Sequence, residues 1–355
     1  MIIRNLSLDF LRAIAILMVF TGHTVLSYGA PSFLSPLQFG GTGVDLFFVL
    51  SGWLIGYQLF NELKRHGNID VKRFWVRRWM RTLPAYYAVL LFTIVQNLIT
   101  KDNFSIPWNY FFFLQNYAET MPTFTVSWSL CVEEQFYLVI APLIVFLAKM
   151  KKNHRTVLLI TLMLLPTLFR EFELYQNLQE THVRWDCCIM GILLANVCFS
   201  YPKFWQRLVI LGPKLAIVTL CIYLSFYYFR WFPNEFIADP SKLFLAMIFG
   251  SWILWANAIN LSLGGVVNKF IYYISTRSYA IYLTHPDALA VTKRLLSDEF
   301  FIFYYSFAFL LSCFAAEFLY RLIEQPIMDM RSKFDFSKSR NKPTKDDPQQ
   351  VVANV

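Results

Sequence analysis

Two ionisable residues stand on one face of the first apolar stretch of the chain. Arg12 and His23 lie eleven residues apart in LDFLRAIAILMVFTGHTVLSYG, which is close to three turns of an α-helix and about 16 Å along its axis. Ionisable side chains within a membrane segment usually face the bundle interior or a wet cavity. An ion pair with Asp9, or extension to lipid headgroups, also explains Arg12. A hydrogen bond to a neighbouring helix also explains His23. The pair therefore indicates a polar helix face with either a structural or a chemical role.

A second candidate site is the arginine pair in RRWMRTLPAYY. Arg78 and Arg81 lie one helical turn apart at the start of another apolar stretch. Two guanidinium groups so placed can bind phosphates or carboxylates through forked hydrogen bonds. Cationic loops also occur beside membranes for reasons of topology alone. The pair therefore predicts either an anion site or a topology signal.

Two acidic motifs offer carboxylates for acid–base chemistry. Asp45 in GGTGVDLFFVLSGWLIG falls near a helix N-terminus, which would stabilise its charge, so a capping role competes with catalysis. Glu133 follows Ser129 by four residues and so shares its side of a helix, whereas Glu134 points about 100° away. We expect only one of the two glutamates to face a cavity. A structural Arg or His partner explains that carboxylate as well as a chemical role does.

A second histidine directly precedes a proline in SYAIYLTHPDAL. Proline has no backbone N–H and leaves a carbonyl without its helical donor. For His285 we therefore favour a bond to the backbone at the Pro286 kink over a catalytic role. The six cysteines lie within or beside apolar stretches without metal-ligand spacing, so we expect packing residues and no metal site.

The elements that must position these residues are membrane helices. The 355 residues are 57% hydrophobic and 15% charged, whereas soluble proteins carry about 25% charged residues. Apolar stretches of spanning length recur along the chain, and spans in lipid must satisfy their own backbone hydrogen bonds. The fold class predicted is an all-α polytopic membrane protein, a bundle of about ten transmembrane helices near residues 8–28, 42–61, 82–100, 130–148, 156–172, 185–201, 208–229, 242–261, 270–291 and 300–322.

The basic residues predict the orientation and the domain limits. Lys and Arg concentrate in the connections 62–81, 149–155 and 201–207 and in the C-terminal tail, which places both termini in the cytoplasm of a cell (inner or plasma) membrane protein. The net charge of +9 is thus a topology signal and does not indicate nucleic-acid binding. We expect a membrane-embedded domain over 1–330 and a disordered cytoplasmic tail over 331–355.

Taken together, these motifs resemble those of the acyltransferase-3 family, membrane enzymes that acylate carbohydrates and other extracytoplasmic acceptors. Arg12 and His23 match its Arg-x10-His element, and Arg78 and Arg81 match its Arg-x-x-Arg element. The segment 127–133 matches Ser-Trp-Ser-Leu-x-x-Glu. The resemblance runs in order from about Asp9 to Ile327 and includes GVDLFFVLSGWLIG, RWDCCIMGILLA, SYAIYLTHP and YRLIEQPI. The C-terminal hydrolase-like domain of some members has no counterpart, so a stand-alone form is expected.

The resemblance implies an O-acyltransferase reaction. It implies a donor on the cytoplasmic side, acyl-CoA and most often acetyl-CoA, which is a co-substrate rather than a tightly bound cofactor. The acceptor is a hydroxyl of a cell-surface glycan or glycolipid, such as a polysaccharide or lipopolysaccharide of the cell envelope. Arg78 and Arg81, with Arg12, would bind the phosphates of coenzyme A.

The resemblance also implies roles for the remaining candidates. His23 would act as general base or as acyl carrier, in a polar chamber that we expect to be continuous with the basic cytoplasmic mouth. Glu133 would orient His23 or another cavity group, and Arg12 and Asp45 belong to the same catalytic set. The expected contacts to the oxyanion or the acceptor come from Ser127, Trp128, Ser129 and His285.

An alternative function is a proton-coupled secondary transporter of an anionic solute. Buried ionisable residues and a cationic entrance suit such a carrier. The sequence shows no repeat relating its two halves, which favours the enzyme. Release of free CoA from acetyl-CoA distinguishes the two.

Overall fold

The computed structural model describes residues 5–229, 241–296 and 299–333. Within these ranges every long element is a helix and no β-strand occurs, so the all-α prediction is confirmed. The helices are α1 Leu6–Ser27, α2 Gly43–His66, α3 Val71–Thr100, α4 Trp128–Ala148, α5 Lys152–Glu171, α6 Asp186–Ser200, α7 Pro202–Phe229, α8 Ser241–Ala258, α9 Gly265–Leu295, α10 Phe301–Leu319 and α11 Gln325–Lys333.

Six regions of the described chain are long and apolar enough to cross a membrane. They are Leu6–Ser27, Ser32–His66, Val71–Thr100, Thr125–Ala148, Pro202–Phe226 and Phe301–Met330. The other four predicted spans are also helical, as α5, α6, α8 and α9, but they do not meet the same length and hydropathy. Helix α6 has 15 residues and is about 22 Å long, which is shorter than the hydrocarbon core of about 30 Å. A multi-pass membrane architecture follows, with six spans supported by length and hydropathy.

The last helix is longer than expected and changes its winding. A π-helical turn, Tyr320–Glu324, joins α10 to α11, and the helix continues through Lys333. The first three residues of the predicted disordered tail are thus helical, and residues 334–355 lie outside the described residues. Helix α11 packs against α3.

Helices α2 and α6 approach each other at backbone distance. A Cβ atom on Gly52 would lie 2.0 Å from the carbonyl oxygen of Cys188, and one on Gly191 would lie 2.2 Å from the backbone nitrogen of Trp53. Small residues permit such close packing in membranes, where van der Waals contact drives helix association. This contact fixes the position of α2, whose opposite side faces the cavity described below.

Candidate active site

His23, near the end of α1, pairs with His285 on α9. Helices α1 and α9 pack together, and Nδ1 of His23 lies 2.6 Å from Nε2 of His285. The two rings are nearly parallel, with 10° between their planes. His285 is fully buried, and His23 is partly exposed. A residue expected mainly to bond the backbone is therefore also the ring partner of His23.

The hydrogen bonds of His285 assign its tautomer. Its Nδ1 lies 2.8 Å from the carbonyl oxygen of Tyr282 and 3.2 Å from that of Ile281, so Nδ1 carries the donated proton. Tyr282 precedes Pro286 by four residues, and its carbonyl is the one that the proline leaves without a helical donor. The predicted bond to the backbone at the proline is thus present.

The same assignment determines the protonation of His23. Charging a fully buried ring is costly, so His285 is neutral, with Nε2 as its acceptor. His23 must then donate its Nδ1 proton to that nitrogen. In the neutral His23 ring, Nε2 is then the lone-pair acceptor, which is the state that a general base requires.

A large cavity opens near the turn between α2 and α3, and we call it the basic cavity. Its volume is about 880 Å³, and its lining along α2 runs from Val44 to His66, a length of about 33 Å. The carboxylates in its lining are Glu62 and Glu133. The Lys and Arg side chains in the lining are Arg12, Lys64, Arg65, Arg73, Arg77, Arg78 and Arg81. With seven cationic side chains against two carboxylates in its lining, the cavity is electrostatically suited to an anionic ligand.

Both residues of the predicted arginine pair line the basic cavity. Nη2 of Arg78 lies 3.4 Å from Oε1 of Gln58, and its guanidinium lies 5.6 Å from the ring centre of Tyr137. Arg81 is exposed at the same wall. Arg12 also lines the cavity, and its Nη1 forms a 2.9 Å ion pair with Asp9. Arg12 thus forms the ion pair with Asp9 that was one of its predicted roles, and it also lines the cavity.

Of the two adjacent glutamates, Glu133 faces the cavity, as the helical geometry predicted, whereas Glu134 is buried outside its lining. Glu133 accepts hydrogen bonds from Ser51 at 2.8 Å and from Tyr137 at 3.1 Å. Both partners of Glu133 line the cavity, so the carboxylate bonds cavity groups, and orientation of His23 by Glu133 stays a prediction. The Tyr137 contact follows from an i, i+4 spacing on α4 and could have been predicted.

The inner end of the basic cavity lies beside the histidine pair without reaching it. Ser129 and Tyr282 line this end, with 2.6 Å between their hydroxyl oxygens. The Tyr282 ring centre lies 5.6 Å from that of His285. His23 is not in the lining. The expected continuity between chamber and mouth is therefore not seen among the described residues, although Tyr282 contacts both the cavity and His285.

The remaining candidates lie outside the cavity lining. The Ser127 hydroxyl is buried, donates to the carbonyl of Phe124 at 2.6 Å and accepts from Gln115 at 3.0 Å. The ring of Trp128 lies 4.9 Å from the guanidinium of Arg184. Of the three proposed contacts in this motif, the structure brings Ser129 alone to the cavity.

Asp45 belongs to a buried ion cluster rather than to the cavity. Its Oδ1 lies 2.9 Å from Nη2 of Arg184, and its Oδ2 lies 3.6 Å from Nζ of Lys242. A second buried ion pair joins Arg170 to Asp186, the first residue of α6, at 2.9 Å. These partners are distant in sequence, so residue spacing carried no signal for them. The buried charge of Asp45 is thus compensated by its ion pairs with Arg184 and Lys242.

Comparison with known proteins supplies a chemical context for this arrangement. A family model described as an acyltransferase domain matches residues 5–321. The peptidoglycan O-acetyltransferase OatA of Listeria monocytogenes is 28% identical over 82% of this chain and 50% of its own length. The putative peptidoglycan O-acetyltransferase YrhL of Bacillus subtilis is 26% identical over 90% and 54%. The O-acetyltransferase OatA of Staphylococcus aureus is 27% identical over 90% and 56%.

The chain spans about half the length of the relatives it matches. No solved structure matches it. The family match, by contrast, covers nearly the whole chain. The matched residues include the histidine pair, His23 and His285, and the arginine pair, Arg78 and Arg81. The chain therefore belongs to the acyltransferase-3 family and is a multi-pass membrane protein.

Proposed function

We propose that the protein is an integral membrane O-acetyltransferase that moves an acetyl group from acetyl-CoA to a hydroxyl of a cell-wall glycan. The observation that carries this proposal is the histidine pair, since its hydrogen bonds leave Nε2 of His23 available as a base. The names of the relatives support acetyl transfer and a peptidoglycan-like acceptor.

The basic cavity is the proposed donor site. Its cations suit the phosphates of coenzyme A, and its length of about 33 Å suits an extended donor. The apolar inner half of the cavity, with Leu50, Leu54 and Leu130, suits the pantetheine arm. The thioester would then lie near Ser129 and Tyr282, beside the histidine pair.

In the proposed reaction, Nε2 of His23 takes the proton of the acceptor hydroxyl as its oxygen attacks the thioester carbonyl. The C–S bond breaks, and the thiolate of CoA leaves and takes up a proton, so the products are the acetyl ester and free CoA. The Nδ1–H bond to His285 holds the His23 ring while it is charged. The thioester must come within reach of His23 during turnover, and we expect Tyr282 to move, because it lines the cavity and its ring centre lies 5.6 Å from that of His285. Transfer through an acetyl-His23 intermediate uses the same imidazole and the same donor site.

We further propose that all ten long helices of the described chain, α1 to α10, form the membrane domain with the α2–α3 turn in the cytoplasm. The basic residues of that turn favour this orientation. The donor would enter from the cytoplasm, and the partly exposed His23 would meet an acceptor on the opposite side of the membrane.

The test measures free thiol released by purified protein from acetyl-CoA in the presence of a glycan acceptor. His23→Ala should lower the rate by about 10²- to 10⁴-fold, the usual contribution of a general base. His154→Ala is the matched control, because His154 is exposed at the start of α5. Near-normal turnover of His23→Ala would contradict the role of His23. A carrier, the alternative function, would release no thiol at all.

A further inference from the structure

Three aromatic side chains form one wall of the basic cavity, and we call them the aromatic wall. They are Tyr57 on α2, Phe199 on α6 and Trp205 on α7, and all three are partly exposed. The rings of Tyr57 and Phe199 lie 5.2 Å apart at 57°. Trp205 stacks on the buried ring of Trp53 at 5.1 Å and 15°. Packing against Trp53 therefore holds Trp205 in place, and the faces of the three rings are available to a ligand in the cavity.

Amide side chains in the same cavity lining can form hydrogen bonds with the edge of a ligand ring. The amides of Gln58, Asn61 and Gln206 line the cavity beside the aromatic wall. An amide offers both a donor and an acceptor, as the edge of a purine base requires. Packing against lipid alone would not require this combination of exposed rings and amides.

The aromatic wall lies close to the cations. Tyr57, Asn61 and Lys64 follow at i, i+4 and i+7, so they share one face of α2 within about 10 Å. On the other side of the cavity, Nη2 of Arg78 lies 3.4 Å from Gln58, the residue next to Tyr57. A ligand whose ring lies on the wall thus has its negative charges among lysine and arginine side chains.

We propose that the aromatic wall is the subsite for the purine base of a phosphorylated nucleotide. Resting on the proposed function, the inference identifies this nucleotide as the far end of the acyl-CoA donor. The base stacks on Trp205, and its phosphates lie among the cations of the mouth. The arm of the donor then runs along α2 toward Ser129 and Tyr282.

The test compares three ligands for equilibrium binding to the full chain in lipid nanodiscs. They are CoA, adenosine 3′,5′-bisphosphate as the nucleotide end, and 4′-phosphopantetheine as the arm. Trp205→Leu should weaken binding of CoA and of the nucleotide by about tenfold or more, in the range known for stacking of one base on an aromatic side chain. Binding of 4′-phosphopantetheine should be unchanged. Trp205→Phe should keep most of the affinity because it retains a ring.

The control is Trp108→Leu, since Trp108 is an exposed tryptophan outside the cavity lining. The inference is overturned if Trp205→Leu binds CoA like the wild type, or if it weakens all three ligands equally. In the second case the substitution has only disturbed the cavity, and the unfolding midpoint of the variant checks this directly. If the wild-type protein binds none of the ligands, the proposed donor site itself fails.

Discussion

His285 determines which nitrogen of His23 carries the proton. Its own Nδ1–H is committed to the Tyr282 carbonyl that Pro286 leaves open, so its Nε2 can only accept. A proline in the middle of α9 thus fixes a proton position on α1. In the proposed reaction His285 is a positioning residue rather than the base.

We predict that His285→Leu lowers kcat for CoA release by about 100-fold, because His23 loses the acceptor that selects its tautomer; this falls within the usual contribution of a general base. His285→Gln should restore a substantial part of kcat, since a glutamine oxygen can accept from His23 and its amide can donate to the Tyr282 carbonyl. The KM for acetyl-CoA should stay constant in both variants, because His285 does not line the basic cavity.

Thr284→Val is the control, since Thr284 bonds within its own helix to the carbonyl of Ala280. Kinetic constants of these variants, with unfolding midpoints measured alongside, separate positioning from folding. Equal loss in the Leu and Gln variants would point to a purely structural role for His285.

Residue spacing predicted those contacts that lie within one helix. Helical periodicity predicted the ion pair of Arg12 with Asp9 and that only one of Glu133 and Glu134 would face the cavity. The pairing of His23 with His285 spans 262 residues and depends on how α1 packs on α9. Asp45 likewise meets Arg184 only through tertiary packing, which no local pattern encodes.

The close contact of α2 with α6 holds α2 in the position from which it lines the basic cavity. Helix α2 carries Ser51, Tyr57 and Asn61 on its cavity side. Its other side meets α6 at Gly52 and Gly191, where there is no space for a side chain. A shift of α2 by even a fraction of an ångström would therefore change the shape of the basic cavity.

We predict that Gly191→Ala destabilises the protein by about 1–3 kcal/mol, the usual cost of overpacking. The new Cβ would lie 2.2 Å from the backbone of Trp53, so the two helices must separate. The measurement is the unfolding midpoint in detergent, together with CoA affinity, which should also fall.

Gly265→Ala provides the comparison, because a Cβ on Gly265, also in a helix, would meet no atom within 4 Å. Its unfolding midpoint should be unchanged or slightly higher, since alanine is the better helix former. An unchanged unfolding midpoint for Gly191→Ala would mean that α2 and α6 have space for a methyl group at this contact, contrary to this prediction.

Hydropathy predicted where helices occur, and six regions of the described chain also have the length and hydropathy of a membrane span. All ten predicted spans coincide with helices in the described chain, because long apolar stretches in lipid can satisfy their backbone only as helices. The short α6 is apolar because it packs among α2, α5, α7 and α8, not because it faces lipid. A buried helix and a lipid-facing one have similar composition, so sequence alone did not separate them.

In the proposed reaction, the positions of the basic cavity and of the partly exposed His23 imply a direction of acetyl transfer across the membrane. Helix α3 begins at the cationic turn and runs 30 residues, about 45 Å, to Thr100. That length exceeds the hydrocarbon core of about 30 Å, so the two ends of α3 should lie on opposite sides of the membrane. The side that holds the cations is the side from which a phosphorylated donor can enter.

We predict that Asn68, in the turn before α3, is cytoplasmic and that Lys101, just after α3, is outside. Both residues are exposed, so each can be replaced by cysteine in an otherwise cysteine-free but active variant. A membrane-impermeant maleimide applied to intact cells should label Lys101→Cys at once and Asn68→Cys only after permeabilisation. The cysteine-free parent, which should not react, gives the background. The reverse labelling pattern would place the cationic mouth outside the cell, where cytoplasmic acetyl-CoA cannot reach it, and the proposed direction of acetyl transfer would be wrong even if His23 remained essential.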